Sequence, residues 1–405
     1  MNVELAIPGA DARSRVFLTW APVEARARLV NPTGTAALPV TLRSAGSGGG
    51  LRFATTPTHD GTPTLALSLP TSGAPVRFFV AGEFGRPSVN LGDAAIEAHG
   101  PGGLGVLGTK RVTVRIRKNA QNLSAGERDR FLAAFATLNG GGSGRFRDFR
   151  DMHVDAATAE EHGNVGFLPW HRAYILDLER ELQAIDPSVT LPYWRFDEPA
   201  PNVFARQFMG VPNAAGRVQF TAGHPFSTWR TDGALGITRM PSFAPELAPT
   251  GLFTEAQTIN LGGTYANFDA MEGNPHGFAH TSFRGFLRQI GTAARDPLFF
   301  MLHANVDRLW AKWQWVRKRR RPADSGAFAP ALGDRVGHRL ADTMWPWNGV
   351  IGAPRPPTAP GGIFPASVST TAPGRAPTVG AMIDYQAVAG GASLGFDYDD
   401  VPFEL

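Results

Sequence analysis

Residues 167–185 read FLPWHRAYILDLERELQAI. His171, Ile175, Leu178, Leu182 and Ile185 step by four, three, four and three, the spacing of one helix face. Such a stripe packs inward, so the sequence places a histidine among aliphatic side chains. A buried imidazole without a partner is costly. A hydrogen-bonded core histidine meets that demand, and so does a metal ligand.

The same conflict recurs in residues 296–318, DPLFFMLHANVDRLWAKWQWVRK. Asp296 suits a cap and Pro297 the first helical position. The stripe is Phe299, His303, Val306, Trp310 and Trp313, again with a histidine facing inward. Just upstream, NPHGFAH (274–280) holds His276 and His280 four apart, on one face if the segment is helical. A zincin-type site needs a glutamate beside the first histidine, and that position is Gly277. Two aligned helix histidines or two ligands of one metal both remain open from this stretch alone.

Working outward, SAGERDRFLAAFATLNGGG opens with Ser124 and Glu127 in capping-box register and ends at Asn139 and Gly140. RFRDFRDMH predicts a short helix carrying His153, and residues 190–270 read as long loops. Residues 1–117 differ: RVFLTW, EARARLV, LPVTLR, LRFAT, TLALSL, VRFFVAGEF and RVTVRIR alternate with glycine- and proline-rich turns. That spacing predicts an antiparallel β-sandwich. His59 and His99 stand alone there and read as surface residues.

The bulk numbers remove several classes. The 405 residues imply two or three domains, and a net charge of +4 is slight for that length. The run Arg317–Arg321 follows a helical pattern and precedes Pro322, so it reads as a solvated helix C-terminus rather than a nucleic-acid surface. With no cysteine, disulfides, thiolate metal sites and cysteine nucleophiles are excluded. No apolar stretch of about 20 residues predicts a membrane span. The start lacks a leader-like pattern, so a cytoplasmic location is expected unless a leader precedes this numbering.

Six of the ten histidines, His153, His162, His171, His276, His280 and His303, fall into two groups of three within the helical part. Three imidazoles per metal suit copper, zinc, nickel or iron. Two such groups side by side suggest a metal pair acting on one small molecule, as bundles of four helices build them.

Three stretches carry a resemblance: HGNVGFLPWHRAYILDLERELQ followed by LPYW, MEGNPHGFAH with DPLFFMLHANVDRLWAKWQ, and MWPWN at 344–348. They resemble the type 3 copper proteins, namely tyrosinases, catechol oxidases and haemocyanins, over roughly residues 115–348. With the β-sandwich read over 1–117, of unknown role and outside the resemblance, and a proline-rich extension over 351–405 packing on the core or covering the site, an α+β multidomain chain is expected. The resemblance implies a four-helix-bundle dicopper domain over 118–350. It implies one copper on His153, His162 and His171, and a second on His276, His280 and His303. It further implies oxidation of o-diphenols, and possible hydroxylation of monophenols, by dioxygen to o-quinones. An o-aminophenol oxidase or a haemocyanin-like oxygen binder is the alternative, and a copper-delivery protein is a possible partner. Neither nucleic acid nor membrane is expected as a partner.

Glu272, four residues before His276, matches a glutamate that in plant members sits over the site and holds a water; pairing with an arginine such as Arg284 is the other reading. Gly277 stands where efficient tyrosinases often carry asparagine, which implies weaker attack on monophenols than on catechols. Leu302 replaces a frequent second histidine. Ile290 aligns with a substrate gate. Phe299 is expected beside the metal pocket, and Asp307 either orients a ligand imidazole or pairs with an arginine.

Overall fold

In VEARARLV, Ala25, Ala27 and Leu29 alternate with Glu24, Arg26 and Arg28, and a pleated strand sends the two sets to opposite faces. The computed structural model describes residues 1–11, 13–32, 35–58, 60–330 and 336–404. His59 lies outside them. One sheet runs in the order β1 (Asn2–Ala6), β3 (Val23–Val30), β7 (Val76–Gly82), β5 (Leu51–Ala54). The other runs β2 (Val16–Leu18), β9 (Val106–Val114), β8 (Ala94–His99), β4 (Leu38–Gly46), β6 (Thr64–Leu69). Buried residues of both sheets, among them Ala25, Leu29 and Val80 from the first and Leu42, Ile96 and Val112 from the second, join one apolar core.

One pairing departs from the antiparallel expectation: β2 and β9 run parallel. A parallel pair needs a crossover of roughly a dozen residues or more, and the chain from β3 to β8 supplies it. β1 and β8 were not expected. AAIEAH in β8 is alanine-rich, and alanine is a poor strand former. His99 ends β8 half-buried, with Nε2 2.9 Å from the Glu97 carboxylate.

The chain divides into two compact units. The first comprises Met1–Ile116, Ser367–Ala372 and Gln386–Leu405; the second comprises Arg117–Ala366 and Pro373–Tyr385. Residues 351–366 and 373–385 thus belong to the second unit, and 367–372 and 386–405 to the first. Val388 and Phe403 join the β core, and Trp20 donates from its backbone N–H to Asp397 (2.8 Å) and from Nε1 to the Tyr398 carbonyl (2.9 Å). In the second unit, Arg172 donates to the Met382 carbonyl (2.6 Å) and Gln314 to that of Ile383 (2.9 Å).

Helices of the second unit are α1 (Ala125–Asn139), α2 (Phe146–Met152), the one-turn α3 (Thr158–Glu161), α4 (Phe167–Ile185), the short α5 (Glu255–Ile259), α6 (Tyr265–Phe268), α7 (Phe278–Thr281) and α8 (Ile290–Ala293), and α9 (Leu298–Arg317). Ser124 and Glu127 form the capping box of α1, and Gly140 closes it in the left-handed region. Asp296 Oδ1 accepts the Leu298 N–H at the start of α9 (3.0 Å).

α4 is buried on nearly every side, not along one stripe, and Ile185 is 40 % exposed at its end. The polar residues this buries are paired. Arg117 bonds Glu179 (2.7 Å) and Asp307 (3.0 Å), Arg172 bonds the other Asp307 oxygen, and the Trp347 indole donates to Asp177 (2.7 Å). Arg172 also lies 3.7 Å above the Trp310 ring. These contacts fasten α4 to α9, so the two histidine-bearing helices are held by charges as well as by apolar packing. Among the described residues, no helix is long and apolar enough to cross a membrane.

Candidate metal centre

His171 sits in the second turn of α4 and His303 in the second turn of α9. Their rings stack 4.4 Å apart, inclined by 11°. The other four histidines come from short elements rather than long helices. His153 follows the last residue of α2, His162 follows α3 in extended conformation, and His280 lies in α7. His276 lies in a wide turn over Gly273–Gly277, where Pro275 and Gly277 disfavour a regular helix. NPHGFAH is thus a wide turn leading into one helical turn.

The structure gathers the six rings into two groups. The ligand atoms of His153, His162 and His171 lie within 4.8 Å of one another, and so do those of His276, His280 and His303. Backbone carbonyls aim the rings. Nδ1 donates to a carbonyl oxygen from His153 (Ile290, 3.1 Å), His171 (Phe167, 2.9 Å), His276 (Glu272, 2.8 Å) and His280 (Leu287, 2.7 Å). A carbonyl only accepts, so each Nδ1 carries the proton and each Nε2 presents a bare lone pair. The Nε2 atoms of His153, His171 and His276 are buried without a hydrogen-bond partner, and the Nε2 atoms of His280 and His303 face each other at 3.1 Å. Two imidazoles bound to one ion at about 2.0 Å place their nitrogens roughly 3 Å apart. Burial, aided by the neighbouring histidines, drives His171, His276 and His303 well below the usual imidazole range. Burial also takes His153 down to about 3 and His280 to about 4. Neutral rings are what a metal needs. The orphaned, converging lone pairs fit metal ions, and the purely nitrogen donor set suits copper among others.

Phe299 is fully buried among the ligands, its ring 4.2 Å from His303 and 4.6 Å from His153. Beside the rings lies a cavity of about 630 Å³ whose lining runs from His153 to Ala293. None of residues 351–404 is among those that line it. Glu272, Gly277 and Ile290 line it together with His153, His162, His276 and His280. Glu272 accepts the Gly163 N–H on Oε1 (2.7 Å), and burial pushes its carboxyl up to about 7. Among the described residues it makes no ion pair, and Arg284 instead stands opposite Met240 in a short β-ladder. A Cβ on Gly277 would meet only the Glu272 carbonyl, at 3.4 Å. Ile290 serves twice, by its rim side chain and by its carbonyl on His153. The Asp307 carboxylate binds Arg117 and Arg172.

Sequence reasoning missed Glu161. Its carboxyl is completely buried, neither oxygen has a hydrogen-bond partner, and Oε1 lies 3.9 Å from His162 Nδ1. Burial, with Glu160 and Asp155 nearby, pushes it well above the carboxylate range. Its only sequence signal is its place next to His162.

Residues 143–316 match the sequence profile described as the common central domain of tyrosinase. A tyrosinase of Streptomyces glaucescens is 34% identical over 264 residues, spanning 58% of this chain and 92% of that protein. Grixazone synthase of Streptomyces griseus is 28% identical over 298 residues, 58% of this chain and 94% of that one. Among solved structures, a functional unit of octopus hemocyanin aligns with a TM-score of 0.46 at 20% identity, covering 72% of this chain and 69% of that one.

Proposed function

Because this chain belongs to the tyrosinase family and is an oxidoreductase of that type, we propose that it oxidises o-diphenols to o-quinones with dioxygen. The observation that carries this reading is the pair of buried histidine triads opening onto one cavity. The family uses a dinuclear copper centre, and the two triads fit two copper ions. When bound, the copper pair supplies the electron exchange with dioxygen.

The chain's own residues do the rest. His153, His162 and His171 would hold one ion and His276, His280 and His303 the other, with four of the six rings fixed by carbonyls so that little reorganisation is needed. Phe299 packs against His153 and His303 and shields that side of the rings from water. A phenol entering past Ile290 meets Glu272, whose carboxylate accepts the hydroxyl proton directly or through one water. Gly277 supplies no side-chain amide to help Glu272, so catechols, which lose their protons more readily, are turned over faster than monophenols. In the finer architecture we read the two sheets sharing one core as a β-sandwich, and the helices around the histidines as a four-helix-type scaffold.

Purified protein loaded with copper, given catechol, should develop quinone absorbance, and a monophenol should give it more slowly. Copper-loaded protein that produces no quinone from catechol at any pH it survives would remove the reading. o-Aminophenols present the same ortho pair of groups to the cavity, and the ratio of the two rates ranks them.

A further inference from the structure

In the first triad, two of three histidines have a carbonyl that fixes their tautomer: Ile290 for His153 and Phe167 for His171. His162 has none, and its Nδ1 is buried without a hydrogen-bond partner. The buried carboxyl of Glu161 lies beside it, also without a partner on either oxygen. Such a pairing of an idle donor with an idle acceptor in a dry interior is costly unless something joins them.

We propose that Glu161 is a positioning residue for the first metal ion: its carboxyl accepts the Nδ1–H of His162 and so aims Nε2 of that ring into the triad. The inference rests on the dicopper reading of the centre. Closing the 3.9 Å separation to an ordinary hydrogen bond of about 2.9 Å needs a shift of about 1 Å. That shift breaks nothing, because neither Glu161 oxygen is engaged. The neighbouring carboxyls are committed. Glu160 is bonded by Arg355 (2.6 Å) and by the Trp345 N–H (2.9 Å), and Asp155 accepts the Gly291 N–H (3.0 Å). His162 lines the cavity and sits in extended backbone after a one-turn helix. It is therefore the ring of its triad with least help from the fold, and the one whose orientation most needs a side-chain acceptor. Carboxylate–histidine–metal arrangements of this kind fix ring orientation and raise ligand basicity.

The test titrates cupric ion into the full metal-free chain against a competing chelator, for wild type, Glu161→Gln and Glu161→Leu. Glutamine keeps an acceptor oxygen and should bind both ions within about threefold of wild type, whereas leucine should weaken one of the two binding steps about 10- to 100-fold and spare the other. If the leucine variant does not fold, Glu161→Ala is read in the same way. Thermal unfolding of the metal-free variants supplies a second readout. A merely structural Glu161 would lower the Tm of the leucine variant with no selective loss at one binding step. Unchanged affinity in the leucine variant overturns the inference, and so does equal loss in both variants. Wild-type protein that binds fewer than two ions would overturn the dicopper reading instead.

Discussion

α4 and α9 carry two polar assemblies side by side, and they are built on opposite principles. Arg172 and Asp307 belong to a buried ion network with Arg117 and Glu179. Each charge in it meets an opposite charge within the protein. His171, next to Arg172, and His303, one turn before Asp307, belong to the other assembly, whose inward lone pairs meet no proton donor from the chain. The first assembly holds the helices together whether or not metal is bound. The second is held open by that scaffold and is completed from outside. The contrast teaches that the ligands are preorganised by the fold, not by the ion.

Breaking each assembly should therefore give different losses. The largest effect is expected from His303→Ala, which removes one ligand of the second triad. Oxidase activity should fall to background and bound copper to about one ion per chain, and the metal-free protein should lose stability only through the cavity left by the ring, which packs on His171 and Phe299. Elemental analysis beside calorimetry reads both. Asp307→Ala should do the reverse. It takes the Asp307 carboxylate from Arg172 and leaves Arg117 bonded to Glu179, and should lower stability by about 3–5 kcal/mol in urea unfolding, with copper stoichiometry unchanged in the folded fraction. If Asp307→Ala instead lost copper selectively and kept its stability, the two assemblies would not be separable as described.

A smaller effect is expected at the cavity wall. Gly277 has helical φ and room for a Cβ. Gly277→Asn should fold normally and raise the ratio of monophenol to diphenol turnover several-fold, measured as initial rates on a matched pair. An unchanged ratio would show that Glu272 needs no amide beside it.

The smallest expected effect is a near-absence of change. Burial lowers His153 to about 3 and His280 to about 4. The sign follows: a lowered imidazole pKa means the folded ligands stay neutral as pH falls through 6.5, the range in which an exposed histidine takes up its proton. Copper affinity of the folded protein should therefore be flat between about pH 7 and about pH 5, whereas an exposed histidine site loses about tenfold per pH unit per ligand in that range. Chelator competition at both pH values distinguishes the two.

Much of this contrast was legible in the sequence wherever side chains carry a period or a cap. Ser124 with Glu127, the stripe through His171 and the one through His303 marked α1, α4 and α9 with their inward histidines. Residues whose role depends on the backbone were not legible. The carbonyls of Ile290, Phe167, Glu272 and Leu287 that orient the rings have no residue-type signature, because every residue offers one. Glu161 carries no such signature, since burial of so short a helix cannot be read from periodicity. Asp307 showed two possible partners, and the approach of Arg117 and Arg172, both far away in sequence, pairs it with arginine. The strand AAIEAH was hidden because its place in the sheet comes from its neighbours on both sides, β4 and β9, rather than from its own propensity.

The central claim is that the fold alone prepares two neighbouring nitrogen tripods. Copper counted per folded chain by elemental analysis after saturation and removal of free ion, together with the absorption spectrum under dioxygen, tests it most directly. Two ions per chain, with a new band that appears with oxygen and disappears under its removal, is the predicted result. One ion per chain, or two without any oxygen-dependent change in the spectrum, would contradict it.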